Sequence, residues 1–313
     1  ELLNEVTYLL EYPTALCGSF EEKYLELPQE VLITPMREHQ RYFPVFKEDG
    51  TLLPKFITVR NGISEYIDTV TAGNEKVLRA RLADAEFFYR EDLKKNLADN
   101  VGKLKSIVFH EKLGSLFAKV ERVQQLSQFI GRQLGFSSEE LNATDRAAYL
   151  AKADLVSNVV YEFPELQGIM GEYYARHAGE DEAVSTAIRE HYLPRFSGDE
   201  VPQTKAGIAV AIADKLDSIV GFFGMDIQPT GSQDPYALRR QAQGIVHTIL
   251  KHNLELSLKK LVQESYRLFG EQVAFINDEE KTLGDIQAFF KQRMDNVLAE
   301  SGIRYDIINA VLT

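Results

Sequence analysis

The residues of this chain that could carry chemistry are few and widely spaced. Four imidazole or carboxylate side chains sit in charge-rich contexts: His110 in Phe109-His110-Glu111-Lys112, Asp154 in Lys152-Ala153-Asp154-Leu155, His191 in Arg189-Glu190-His191-Tyr192, and Asp214 in Ala213-Asp214-Lys215-Leu216-Asp217. Three basic groups are suited to an anionic partner. They are Arg37, His39 and Arg41 in MREHQRYF, Arg79 and Arg81 in EKVLRARLADAEFF, and Arg239 and Arg240 in DPYALRR. Arg is the favoured phosphate ligand because its planar fork meets two oxygens at once. Tyr42 and Phe43 follow the first group and could stack on unpaired bases, or equally fill a strand core. Arg81 could pair instead with Asp84 or Glu86, and Arg239 and Arg240 with Asp234 or Asp214. Phosphate-binding loops of the G-x-x-x-x-G-K-[ST] and G-x-G-x-x-G kinds are missing, as is a G-x-S-x-G elbow. The single Cys17 supplies neither a zinc site nor an internal disulfide. No ATP-activating motif is visible.

The elements that must position these residues change character along the chain. Up to about residue 72, short strands alternate with turns. Val31 to Thr34 reads as a strand, and Tyr42 to Phe46 as another, with Pro44 marking an edge. Glu48-Asp49-Gly50 is a turn, Phe56 to Val59 a strand, and Asn61-Gly62 its close. A helix is predicted from Glu75 to Asn96, with Leu78, Leu82, Ala85 and Tyr89 on one stripe. Helices then dominate: Phe109 to Leu134, a capped start at Ser137 or Ser138, Ala147 to Phe163, a buried Ala206 to Phe223, and a helix starting at Asp234-Pro235. In that last helix Leu238, Ala242, Ile245 and Ile249 face inward, while Arg240, His247 and Lys251 share another face. Residues from Leu254 on read as further helices. The fold class is α+β, a small α/β portion followed by a mostly helical part.

With 313 residues the chain suits about two domains and can bury a core without disulfides. Its net charge of −12 argues against non-specific nucleic-acid binding, so any RNA contact must be local. Residues 73 to 112 carry 9 basic and 7 acidic side chains, a locally basic stretch. No apolar run is long enough to span a membrane, and no signal peptide is seen. The start at Glu1, without Met, and the stop at Ala310-Val311-Leu312-Thr313 read as the ends of an internal piece.

The order His110, Asp154, Asp214 in a helical context resembles the HD superfamily of metal-dependent phosphohydrolases. That family holds a divalent metal with a first His, an adjacent His-Asp pair and a distant Asp. Ala153 stands here where the pair would have its His, so a central ligand is gone and metal affinity should collapse. The expectation is a degenerate site at His110, Asp154, His191 and Asp214 with no metal and no catalytic residues. The alternative is a live phosphohydrolase.

Longer stretches carry a more specific resemblance. EVTYLLEYPTALCGSFEEKYLELPQEVLITPMREHQRYFPVF, GNEKVLRARLADAEFFYREDLKKNLADNVGKLKSIVFHEKLGS, KADLVSNVVYEFPELQGIMGEYYA and ADKLDSIVGFFGMDIQPTGSQDPYALRRQAQGIVHTIL are similar to the bacterial glycyl-tRNA synthetase β subunit family. The resemblance implies a cytosolic α2β2 ligase, in which the β subunit recognises tRNA-Gly. The α subunit would hold the catalytic core with ATP and Mg, leaving no cofactor in this piece. Neither membrane nor DNA enters that picture, and a scaffold that binds only the α subunit is the other possibility. It also implies a layout: residues 1–72 as the end of an editing-domain-like α+β region, 73–100 as a connecting helix, 101–253 as a degenerate HD-like domain, and 254–313 as a helical linker toward a missing anticodon-binding domain.

Overall fold

A computed structural model describes residues 2–270, 273–300 and 302–312, without the side chains of residues 309 and 312. Glu1 and Thr313, at the two ends read as cut, lie outside the described residues. The chain divides into two compact units, Glu1–Lys95 with Ser157–Gln167 (unit 1) and Asn96–Val156 with Gly168–Thr313 (unit 2). The fold is α+β, mostly helical with a small antiparallel sheet.

Unit 1 opens with α1 (Leu2–Leu9), β1 (Pro13–Ser19) and α2 (Gln29–Thr34), followed by β2 (Phe43–Phe46), β3 (Leu52–Asn61) and α3 (Ile67–Asp92). The strands pair antiparallel in the order β1-β3-β2. β2 is an edge strand, as Pro44 requires, because proline has no amide to donate on a paired side. Leu78, Leu82 and Ala85 of α3 are fully buried, and Leu78 and Leu82 join Phe20, Leu32, Met36 and Phe56 in one core. The stripe read from spacing is therefore the packing face. Tyr42 lies in this core as well. Its ring stacks on Phe56 with centroids 4.7 Å apart, and its hydroxyl donates to Asn74 Oδ1 at 2.7 Å. That position removes Tyr42 from any base-stacking role.

Three local readings change. Val31 to Thr34 lies in helix α2, not in a strand. An apolar run this short fits a buried helical turn as well as a strand, and burial of Val31 and Leu32 decides it. α3 starts at Ile67 and runs through Gly73, whose cost of about 1 kcal/mol the buried stripe offsets. It stops at Asp92, whose carboxylate accepts from the amides of Asn158 and Val159 at 2.9 and 3.0 Å and so holds the start of α6 (Asn158–Glu162).

Unit 2 begins with a 3-10 helical stretch over Leu97–Ser106, followed by the hairpin β4 (Val108–His110) and β5 (Gly114–Ser115), then α4 (Leu116–Gln133) and α5 (Ser138–Leu150). The helix expected from Phe109 thus begins at Leu116, because Ser115 caps it by accepting from the Ala118 amide. Ser137 caps α5 in a reciprocal box with Glu140. The helix expected over Ala147 to Phe163 is broken: α5 ends at Leu150, and a 3-10 turn covers Ala153–Val156. Next come α7 (Ile169–His177), α8 (Glu182–Glu190), α9 (Lys205–Gly224) and α10 (Leu238–His252), and then α11 (Leu258–Phe269), α12 (Glu279–Glu300) and α13 (Tyr305–Leu312). α9 is buried along nearly all its length and packs against α4, α5, α8, α10, α11 and α12. α10 starts at Leu238, not at Pro235. Asp234 still serves it, since its two oxygens accept from the amides of Leu238 and Arg239 at 2.8 and 2.9 Å.

Candidate functional site

α4 supplies the first members of a buried charged cluster in unit 2. Lys119, Val123, Leu126 and Ile130 share one helical stripe, and all four are buried although one is charged. The Lys119 ammonium meets Asp214 Oδ1 and Asp217 Oδ2, each at 3.3 Å. Arg122, one turn on, grips both Asp217 oxygens at 2.6 and 3.1 Å, while its guanidinium lies 4.0 Å over the Phe269 ring. Lys152, just past α5, donates to Asp214 Oδ2 at 3.2 Å and sits 4.0 Å over the Tyr192 ring. Asp214 therefore has an ammonium on each oxygen. Burial opposes its charge, but Lys119 and Lys152 outweigh burial and hold its carboxyl well below the usual range.

Asp154 is fully buried, and its Oδ2 accepts from the amides of Gly168 and Gly171 at 2.6 and 3.1 Å. Burial pushes its carboxyl up to about 6, against the pull of those amides and Lys152. Gly171 is required here. A Cβ would stand 2.6 Å from Ile188 Cγ2 and 3.1 Å from Asp154 Oδ2, so only glycine brings its amide this close. The His191 ring is buried, with Nδ1 2.5 Å from the Ile188 carbonyl. A carbonyl only accepts, so Nδ1 carries the proton and the neutral ring turns an acceptor Nε2 inward. Burial, reinforced by Lys152, keeps this imidazole far below its ordinary value. Lys215 donates to the carbonyls of His191 and Leu193 at 3.0 and 2.7 Å, and burial brings its ammonium down to about 7.

Of the four residues read as a degenerate metal set, Asp154, His191 and Asp214 reach this cluster. His110 is held elsewhere. Its ring packs edge-on against Phe222 and Tyr236, at 5.4 and 5.9 Å. Phe222 lies eight residues beyond Asp214 on α9, roughly 12 Å along the helix axis. Among the described residues, no three His, Cys, Asp or Glu side chains are grouped to hold a metal. Positive charge at Asp214 is instead supplied by Lys119 and Lys152. The gap lined by Lys119, Val123, Ala148, Lys152 and Asp214 is too small to admit a water-sized group. The chemistry of the cluster is charge compensation inside a core. The sequence analysis did not single out Lys119 or Arg122, although the place of Lys119 on the Val123, Leu126, Ile130 stripe was a signal.

The basic candidates are mostly at the surface. Arg37 and His39 lie in a π-helical turn over Pro35–His39 and are exposed, with the His39 ring 5.4 Å from Phe163. Arg41, at φ +58°, is pinned by Glu5 at 2.5 Å and donates to the Glu38 carbonyl. Arg79 pairs with Glu21 at 3.4 Å, and Arg81 with Glu162 at 3.5 Å, neither Asp84 nor Glu86. Arg240 reaches the Arg195 carbonyl at 3.4 Å. Arg239 meets Asp234 through its backbone amide, and no carboxylate among the described residues pairs with either side chain. Asp214 is occupied by lysines.

The family model for the glycyl-tRNA synthetase beta subunit matches residues 1–313. The chain belongs to this family. It is 56% identical over its whole length to the glycine–tRNA ligase beta subunit of Desulforamulus reducens, covering 45% of that protein. Corresponding beta subunits from Clostridioides difficile and Bacillus subtilis are 55% and 54% identical over all of this chain, which covers 45% and 44% of them. The chain thus spans a little under half the length of the curated relatives it matches. Family membership accounts for the long stretches in which Arg79, Arg81, Arg239 and Arg240 lie. No helix among the described residues is long and apolar enough to cross a membrane.

Proposed function

We propose that this chain is the tRNA-recognising part of the β subunit of a glycine–tRNA ligase. It would present tRNA-Gly while an α subunit, using ATP and Mg, joins glycine to it. The observation that carries this reading is the end-to-end match to the beta-subunit family. The surface chemistry supports it. Arg37 and Arg240 are exposed, and no carboxylate among the described residues pairs with them. The exposed pairs Arg79–Glu21 and Arg81–Glu162 are of the kind that contributes about 0–1 kcal/mol, so exchanging glutamate for phosphate costs little.

The test is fluorescence anisotropy of labelled tRNA-Gly across a salt series, against a non-cognate tRNA. Expected are preferential cognate binding, affinity that falls with salt, and weakening by Arg239→Ala with Arg240→Ala. Failure to bind at low salt, with the α subunit present, would overturn direct tRNA contact and leave a scaffold for that subunit.

A further inference from the structure

The loop between α8 and α9 lies along one face of α10 and leaves an open pocket of about 580 Å³. That volume lies within the roughly 300–1,000 Å³ of small-molecule sites. Its lining includes Phe196, Asp199, Glu200 and Gln203 from the loop and His247 and Lys251 from α10. These walls are held from several sides. Asp199 Oδ2 accepts from Arg195 N and Nε at 2.9 and 3.1 Å. Glu190 accepts from the amides of Gln203 and Thr204, each at 2.9 Å. Arg240 reaches the Arg195 carbonyl, and the His252 ring nitrogen lies 2.8 Å from the Pro202 carbonyl. The loop is held by bonds that leave the Phe196, Glu200 and Lys251 side chains unused.

Those groups are of three kinds. Phe196 is 56% exposed, a flat apolar face with the Arg195 guanidinium 5.9 Å away. Lys251 is exposed, and no described carboxylate pairs with it. His247 lines the wall, but its Nε2 is sealed from solvent and so is not offered to a ligand in the pocket. Asp199 is neutralised by Arg195, which leaves Glu200 as the acceptor for donors on a ligand. A bare anion would have no use for the aromatic face, and an apolar ligand would strand the lysine and the glutamate. A nucleotide meets the aromatic face, the acid and the cation together: base on Phe196, exocyclic amine toward Glu200, phosphate on Lys251.

We propose that this pocket is a subsite for one nucleoside monophosphate unit, with Phe196 as stacking platform and Lys251 as phosphate ligand. The unit could be a free nucleotide or an unpaired residue of RNA. In the second case the proposal rests on the tRNA reading above and locates one of its contacts.

Titration calorimetry on the full-length polypeptide would use three probes: cytidine 5′-monophosphate, inorganic phosphate and a single-stranded hexanucleotide. tRNA anisotropy would run in parallel, with Phe196→Ala and Lys251→Glu as variants. Both side chains are exposed, so the unfolding midpoint should not move and serves as the folding control. Expected is saturable binding of the mononucleotide, weakened about tenfold by each variant. Phosphate alone should bind more weakly and respond to Lys251→Glu only. Hexanucleotide and tRNA affinities that fall with the same variants assign the site to RNA. Unchanged tRNA affinity beside a weakened mononucleotide assigns it to a free nucleotide. If tRNA does not bind at all while the mononucleotide behaves as described, the tRNA reading falls and the subsite stands. Absent mononucleotide binding, or binding indifferent to both variants, overturns the proposal whatever tRNA does.

Discussion

Unit 1 keeps its cations at the surface, and unit 2 buries several of its own. Arg79, Arg81 and Arg90 of α3 are about half exposed and each faces a glutamate. Lys119, Arg122, Lys152 and Lys215 lie almost wholly inside, on Asp214, Asp217, aromatic faces and backbone carbonyls. The same residue types therefore do opposite work. In water a charge pair is cheap to break and free to exchange partners. In a core the desolvation already incurred makes the remaining partner costly to strand. The exposed set suits recognition of a polyanion, and the buried set fixes how α4, α5 and α9 pack.

Four experiments probe that contrast. The largest effect should come from Asp217→Ala, which takes the carboxylate from Arg122 and leaves Lys119 with Asp214 and the Ser218 hydroxyl. A destabilisation of about 3–5 kcal/mol is expected from urea unfolding. A value under about 1 kcal/mol would mean the buried set behaves like a surface one. Next is Asp154→Asn, which can keep one oxygen on the Gly168 and Gly171 amides while removing the charge. The folded carboxyl sits at about 6, above its usual 3.8, so it stabilises fully at low pH. That contribution is lost as pH rises through 4 to 6, by about 3 kcal/mol. The variant should lack this decline, and unfolding midpoints at pH 4.5 and 7 give the comparison. Tyr42→Phe removes only the hydroxyl bond to Asn74, for an expected cost of about 0.5–1.5 kcal/mol in chemical denaturation. The smallest stability effect, below about 1 kcal/mol, is expected for Arg79→Ala with Arg81→Ala. The same double variant should shallow the salt dependence of tRNA binding, by about one unit of slope for each phosphate the two arginines neutralise. An unchanged slope would remove α3 from the tRNA surface.

Much of the frame was legible because local rules and burial agreed. The stripe Leu78, Leu82, Ala85 predicted the packing face of α3, Pro44 the edge strand, Ser137 or Ser138 the cap of α5, and small apolar residues the buried α9. Misreadings arose where two local signals competed. Val31 to Thr34 has strand composition but helix geometry, and 109–115 has helical spacing but makes a hairpin. The candidate site was half legible. Asp154, His191 and Asp214 do gather, whereas His110 joins Phe222 and Tyr236 because an imidazole edge packs as readily on rings as it ligates.

By itself the sequence determined the family, the α+β class and the inventory of side chains, since these depend on composition, period and long matched stretches. Only the tertiary structure decided which charges lie in water and which lie in a core. That assignment depends on what α4, α5 and α9 present to one another across distances no sequence window spans. It is why Lys119 and Lys152, ordinary as letters, stand on Asp214, and why Arg79 and Arg81 stay at the surface.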